Sequence, residues 1–363
     1  MRVMIVDDSL TVRTIFRRMI EGDPSMEIVG TAASGERAIT QIKKDPADVV
    51  LLDLEMPGIG GLKALPEILK ASPDAQVLVV SSLTRDGAEA TVAALSNGAA
   101  DTLQKPRPGG FNEDYRSQLL GKIRALGSAN ITSDIADTNG TVSTEPKAGL
   151  TRQSAQFRSH KADRTLKRPD VIAVGASTGG IHALNLMLQE LTSNCSLPIL
   201  ITQHLPSNFI PVFARQVEVS SGRPTHIAED GTEIRQGKIA IATGHGHMSV
   251  RRISDRLMVR TLTEPARSGC LPSVDPMLSS LAKACEGRVL AIFLSGMGRD
   301  GYEGAEEVVA AGGQVWAQSA DTCAVWGMPG AVAKAGLTTL VGTPQKLGQE
   351  IMAQFADVRR VAG

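Results

Sequence analysis

Asp7 and Asp8 follow the apolar run VMIV, and Asp53 follows DVVLL. Ser81 and Ser82 close VLVVSS, and Lys105 comes just after TLQ. If these runs are parallel strands, all of these groups fall at carboxyl ends, where open α/β sheets place their ligands. Carboxylates gathered there repel one another unless a cation joins them. An all-oxygen set suits Mg²⁺, which keeps several waters and bridges carboxylates to phosphate oxygens. One carboxylate could then attack a phosphoryl group while the metal and Lys105 neutralise the spreading charge. The plainer alternative is that Asp7 and Asp8 cap the first helix and Asp53 lies in a solvated turn.

A second set of groups lies further along the chain. GASTGG at 175–180 contains G-x-S-x-G, a tight strand-to-helix turn that exposes the Ser177 hydroxyl beside free backbone N–H groups. A phosphate-binding turn and a merely structural glycine turn remain open for the motif alone. His204 ends the run PILITQ, and Asp300 sits in the glycine-rich GMGRDG after RVLAIFL. Hydroxyl, imidazole and carboxylate are what serine acyl transfer requires, with an imidazole of ordinary pKa near 6.5 neutral enough to act as base. The order Ser, His, Asp differs from the Ser, acid, His order of α/β-hydrolases. His182 falls on the helix after Ser177, His226 in a mixed segment, and His160 in a polar stretch. His245 and His247 in TGHGH suggest metal ligands, but no acidic or cysteine companion stands at a recognisable spacing.

Strands must deliver these side chains. Residues 1–125 alternate strand-like and helical segments, the first helix carrying Val12, Ile15, Phe16, Met19 and Ile20 after a Ser9 cap, with Gly22 to end it. That rhythm predicts a doubly wound parallel sheet covered on both faces. Residues 126–168 hold few large apolar side chains and no sustained period, as in a flexible linker. A second, larger, mostly parallel α/β domain is expected over 169–345. Its strands are VIAVGA, PILITQ, KIAIA, RVLAIFL, QVWA and TTLV, with helices after Thr178, Pro276 and Glu303 and a mixed-sheet excursion in 218–263. Residues 346–363 would be a tail or helix.

Composition narrows the function classes. The 363 residues carry 38 basic and 38 acidic side chains, so no net positive field favours nucleic acid. The four cysteines form no C-x-x-C pair, which argues against a disulfide framework or thiolate zinc site. No apolar stretch is long enough to span a membrane, and no secretory signal is legible, so a cytoplasmic protein is expected.

The runs VDDS, DLEMPG, VVSSLT and LQKP resemble those of response-regulator receiver domains over roughly residues 1–125. The resemblance implies Asp53 as phosphoacceptor, Asp7 and Asp8 as its metal-binding partners with Mg²⁺, Ser81 as the hydroxyl that senses the phosphoryl group, and Lys105 as the cationic partner. Thr102 stands where many receivers carry an aromatic switch residue, Gly60 where many carry Asp, and Pro66 falls inside the third helix. Over residues 170–345, VGASTGG, TQHLP, PSVDPM, FLSGMGRDG and VWGMPGAV resemble the catalytic domain of the chemotaxis protein-glutamate methylesterase (CheB) family. Met277 takes a position more often held by leucine. This second resemblance implies Ser177 as nucleophile, His204 as general base, Asp300 as its orienting acid, and Thr178 and Met297 lining the site, with Met297 offering backbone N–H to an oxyanion. It implies no cofactor for ester hydrolysis. It further implies methyl-accepting chemotaxis receptors as substrates, a chemotaxis histidine kinase as phosphodonor, location at cytoplasmic receptor arrays, and restraint of the second domain by the first until Asp53 is phosphorylated. A deamidase without esterase activity, a catalytically silent binding module and a DNA-binding regulator are the competing classes.

Overall fold

The computed structural model describes residues 1–82, 84–106, 110–128, 166–192 and 194–356. Most of the expected 126–168 linker, together with His160, lies outside them. The first domain runs β1 (Arg2–Val6), α1 (Leu10–Glu21), β2 (Glu27–Ala32), α2 (Gly35–Ile42), β3 (Val49–Asp53), α3 (Gly60–Ala71), β4 (Gln76–Ser81), α4 (Arg85–Ser96), β5 (Asp101–Gln104) and α5 (Glu113–Gly127). Its strands form one parallel sheet in the order β2-β1-β3-β4-β5. Alternate residues of β1 serve opposite faces, Met4 and Val6 in one core and Val3 and Ile5 in the other, as the two-residue period of a strand requires.

Local sequence explains the boundaries. Ser9 Oγ accepts the Val12 N–H at 3.4 Å to start α1, and Gly22 ends it in a right-handed conformation. Because α3 begins at Gly60, Pro66 lies inside it and removes an N–H from the ladder. Gly61 has a stricter reason to be glycine: a Cβ there would lie 2.0 Å from the Asp53 carbonyl oxygen.

The second domain contains β6 (Val171–Ala176), α6 (Gly180–Gln189), β7 (Ile199–Gln203), α7 (Ile210–Ser221), β8 (Thr225–Ala228), β9 (Glu233–Ile234), β10 (Ile239–Ala242), β11 (His247–Ile253) and β12 (Arg256–Leu262). It continues with α8 (Val274–Ala284), β13 (Val289–Phe293), α9 (Tyr302–Ala310), β14 (Gln314–Gln318), α10 (Met328–Lys334), β15 (Leu340–Gly342) and α11 (Pro344–Phe355). Seven strands form a parallel sheet in the order β15-β14-β13-β6-β7-β10-β8. The mixed-sheet expectation for 218–263 is corrected in one respect. β8 and β10 join the main sheet in parallel, while β11, β12 and β9 form a separate antiparallel sheet. Helix α8 starts at Val274 rather than after Pro276, because Ser273 Oγ caps it by accepting the Asp275 N–H at 3.3 Å. That places Pro276 in the first turn, where no N–H is required.

Residues 344–355 are built into this domain. Leu347, Ile351 and Phe355 of α11 are buried in the same core as Leu184 and Leu188 of α6, and the Phe355 ring stacks 5.9 Å from Trp316. Leu347→Ala should therefore lower the stability of the second domain by about 2–5 kcal/mol through the cavity it leaves. Both tryptophans, Trp316 and Trp326, lie in that domain, so fluorescence-detected denaturant unfolding reads the loss there.

Candidate active site

Strands β13, β6 and β7 are neighbours, so the turns after them converge at one sheet edge. Ser177 leaves β6 and donates its N–H to the Ser295 carbonyl at 3.0 Å, while His204 follows β7 and donates its N–H to the Ala176 carbonyl at 2.9 Å. The turn needs glycine at 179, where φ is +76° and a Cβ would lie 2.6 Å from that of Ala324. Gly296 is similarly constrained, since its Cβ would meet that of Ser177 at 2.9 Å. The backbone N–H groups of Thr178 and Met297 have no acceptor among the described residues. Thr178 follows Ser177 in the chain, and Met297 follows Gly296, which lies against Ser177. Met297 is half exposed.

His204 Nε2 lies 2.7 Å from Asp300 Oδ2. With Nε2 held by that carboxylate, Nδ1 is the ring nitrogen left to exchange a proton with a hydroxyl. Asp300 is buried, and its charge is satisfied from the start of α8: Ser273 Oγ donates to Oδ1 at 2.6 Å and Val274 N–H donates to Oδ2 at 2.7 Å. Burial works against the Asp300 carboxylate, but His204, Ser273 and Val274 together hold it below the ordinary carboxylate range. Burial likewise opposes an imidazolium, yet Asp300 and the sulfur of Cys270 raise His204 to about 9. The base is thus stronger than an ordinary imidazole and more often protonated.

Ser273, Cys270 and His247 were not singled out as site residues by spacing. Ser273 was legible only as part of PSVDPM, and its pairing with Asp300 spans 27 positions of sequence. His247 holds Ser273 from behind, its Nδ1 accepting the Ser273 N–H at 2.9 Å while Nε2 donates to the Glu264 carbonyl at 2.9 Å. His247 is buried and His245 exposed, so the TGHGH pair does not converge. Among the described residues, metal-type clusters comprise His204, Cys270 and Asp300 in one place and Asp7, Asp8 and Asp53 in another.

In the first domain, ligand atoms of Asp7, Asp8 and Asp53 lie within 4.8 Å of one another. Lys105 Nζ reaches Asp53 Oδ2 at 2.6 Å and Asp7 Oδ2 at 2.8 Å. Burial, reinforced by Asp7, raises the Asp53 carboxyl despite Lys105. Lys105 itself is raised: its burial acts in the opposite sense, and the two carboxylates outweigh it. Ser81, at the end of β4, is buried with its hydroxyl unpartnered among the described residues. Thr102 lies in β5, its hydroxyl also buried and unpartnered.

The two domains meet over the Ser177 turn. Gly179 N–H donates to the Ala100 carbonyl at 2.5 Å, and Thr178 Oγ1 donates to Asp101 Oδ2 at 2.7 Å. Lys122 Nζ holds the same Asp101 oxygen at 2.6 Å. His182 Nδ1 donates to the Ser96 carbonyl at 2.8 Å. Apolar packing accompanies these bonds, with Leu95 and Ala99 in one buried cluster with Ile181, Leu205 and Phe209. What remains beside Ser177 and His204 is a narrow cleft walled by Leu95, Ala100 and Asp101.

A domain with an acidic pocket is thus packed, through Ser96, Ala100 and Asp101, against one that carries Ser177, His204 and Asp300 at neighbouring strand ends. Family comparison assigns residues 3–110 to the response regulator receiver domain and 172–351 to CheB methylesterase. A Rhodospirillum rubrum protein-glutamate methylesterase/protein-glutamine glutaminase is 40% identical over 354 residues, covering 94% of this chain and 91% of that protein. Its Paramagnetospirillum magneticum counterpart is 39% identical, covering 94% and 92%. The crystal structure of the Thermotoga maritima CheB methylesterase catalytic domain matches 51% of this chain and 98% of its own, with 30% identity and a TM-score of 0.50. The chain belongs to the CheB methylesterase family.

A base held near 9 sets a pH dependence. Only neutral His204 can accept a proton, so ester hydrolysis that uses it as base should fall about tenfold for each pH unit below about 9. Asp300→Asn should lower the maximum by about 10² to 10⁴-fold and shift the limb to lower pH, because the bond that raises His204 is lost. A pH profile of methanol release for parent and variant checks both effects.

Proposed function

We propose that this protein hydrolyses glutamate γ-methyl esters on methyl-accepting chemotaxis receptors, releasing methanol, and is activated by phosphorylation of Asp53. The observation that carries the reading is the His204–Asp300 pair at 2.7 Å beside the Ser177 turn, in a chain of this family. His204 takes the Ser177 proton as Oγ attacks the ester carbonyl. Thr178 and Met297 N–H groups stabilise the oxyanion, His204 returns the proton to departing methoxide, and water then repeats the sequence to free Ser177 and leave glutamate. The same steps on a glutamine side chain release ammonia, and relatives carrying the name protein-glutamine glutaminase favour this as a second activity.

Regulation follows from the docked receiver. Ala100 and Asp101 cover the turn that a receptor segment must reach. Three carboxylates facing one ammonium leave the receiver pocket with unbalanced negative charge, which fits a divalent cation. Asp7, Asp8 and Asp53 would hold Mg²⁺, which when bound neutralises phosphoryl oxygens. Asp53 is the phosphoacceptor, Lys105 its cationic partner, and Ser81 the hydroxyl that meets the phosphoryl group. The phosphodonor is a chemotaxis histidine kinase, and the place of action is the cytoplasmic part of receptor arrays. No described helix is long and apolar enough to cross a membrane.

Methanol release from methylated receptor, with and without a small phosphodonor, tests substrate, reaction and control together. Ser177→Ala should stay folded and lose at least about 10³-fold in turnover. Phosphodonor should accelerate the parent and add one phosphoryl mass, with neither effect in Asp53→Asn. Near-parental turnover of Ser177→Ala would overturn the nucleophile. A second prediction addresses the contact itself. Asp101→Ala removes a charged acceptor from the interface, and a loss of about 1.4 kcal/mol of docking shifts the equilibrium about tenfold. Its unphosphorylated turnover should rise by roughly that factor.

A further inference from the structure

Cys270 exchanges no proton in the proposed hydrolysis, although its sulfur helps to raise His204. Its sulfur nevertheless lies within 4.8 Å of the ligand atoms offered by His204 and Asp300. Cys270 is half-buried and precedes the exposed Leu271, so the cluster borders solvent. Cys195, Cys285 and Cys323 join no metal-type cluster among the described residues. A thiol, an imidazole and a carboxylate together are ligands for Zn²⁺ and similar borderline-soft cations, whereas Mg²⁺ prefers the all-oxygen set of Asp7, Asp8 and Asp53.

The bonds that Asp300 already makes distinguish its part from those of His204 and Cys270. Asp300 already accepts bonds from Ser273, Val274 and His204. It therefore fits the outer position of a carboxylate–histidine–metal arrangement, in which the carboxylate fixes the tautomer and sharpens the ligand nitrogen. With His204 Nε2 bonded to Asp300, Nδ1 carries the lone pair. The arrangement that prepares an imidazole to accept a proton equally prepares it to bind a cation.

We propose that His204 and Cys270, with Asp300 bonded behind the imidazole, form an inhibitory site for Zn²⁺ and like thiophilic divalent cations. Binding releases the Cys270 thiol proton, and any proton on Nδ1, to solvent. The cation accepts lone pairs from Sγ and Nδ1, and water completes its coordination. No electron is transferred. The Nδ1 lone pair is the one that must take the Ser177 proton, so bound cation and turnover exclude each other. This inhibition rests on the reading of His204 as base, whereas the ligand set does not.

The test uses full-length protein and methylated receptor, with excess Mg²⁺ throughout to occupy the receiver carboxylates. Zn²⁺ should suppress methanol release, and a chelator should restore it. Cys270→Ser, measured against its own turnover in chelator, should need at least about tenfold more Zn²⁺ for equal fractional inhibition. Co²⁺ supplies a readout independent of turnover: a thiolate-to-metal charge-transfer absorption in the parent, absent from Cys270→Ser. Equal Zn²⁺ sensitivity of parent and variant, or a charge-transfer band that survives the substitution, overturns the site. A Cys270-dependent band with undiminished turnover overturns the inhibition and traces the failure to His204 as base rather than to the ligands.

Discussion

A carboxylate withdrawn from water must be neutralised by neighbouring donors, or it takes up a proton. Asp300 meets this constraint with donors from two separate segments: the His204 ring after β7, and the Ser273 hydroxyl and Val274 N–H at the start of α8. Much of the catalytic half is arranged around that requirement. The GMGRDG turn must approach α8 closely, and Gly301, at φ +85°, allows it because a Cβ there would lie 2.7 Å from Val274. His247 in turn fixes Ser273, and the separate antiparallel sheet supplies His247. That sheet therefore supports Asp300 from behind through Ser273, although it lies apart from the strands that carry Ser177 and His204.

The contact between domains combines apolar packing, the His182–Ser96 bond and an Arg215–Glu89 ion pair with two bonds that are well placed over the Ser177 turn. One carbonyl, Ala100, and one carboxylate, Asp101, meet the turn after β6. Strand β5 joins this contact to the phosphoacceptor pocket, since it begins at Asp101 and runs into Lys105, which grips Asp53. Four residues of strand span only about 13 Å. A phosphoryl group on Asp53 would compete for Lys105 at one end of a strand whose other end seals the cleft. Thr102 sits within that strand, so the connection on the proposed scheme is the backbone and its bonded ends rather than the flip of an aromatic ring.

Much of this was legible in the chain because parallel α/β architecture converts order into position. Apolar runs ending in Asp7 and Asp53 are strands of one sheet and those ending in Ser177 and His204 strands of the other, and in each sheet the polar ends share the carboxyl edge. Asp300 was similarly readable from the run before it. Ser273, His247 and Cys270 were not, because their pairings depend on how α8 and the antiparallel sheet fold back over the strand ends, and no periodicity encodes that. Helix α7 escaped notice for a local reason, as Pro211 reads as a breaker until it is placed in the first helical turn. The raised His204 had no sequence signal at all. It arises from two neighbours, Asp300 and Cys270, that together outweigh the opposing effect of burial, and Asp300 stands 96 positions away in sequence.

That last property joins chemistry to control. An imidazole with a pKa of about 9 is neutral in only about 3% of molecules at pH 7.5. The stronger base removes the Ser177 proton more readily once neutral, which offsets part of the scarcity. Uncovering the cleft changes both sides of the balance: water admitted to His204 relieves the burial that opposes its charge, but also screens the Asp300 attraction that favours it. Burial is the largest single influence on His204 and works against its charge, so uncovering the cleft does not by itself strip the imidazole of its proton. The receiver would thus withhold activity by covering the turn against a receptor segment, not by holding His204 in its protonated form.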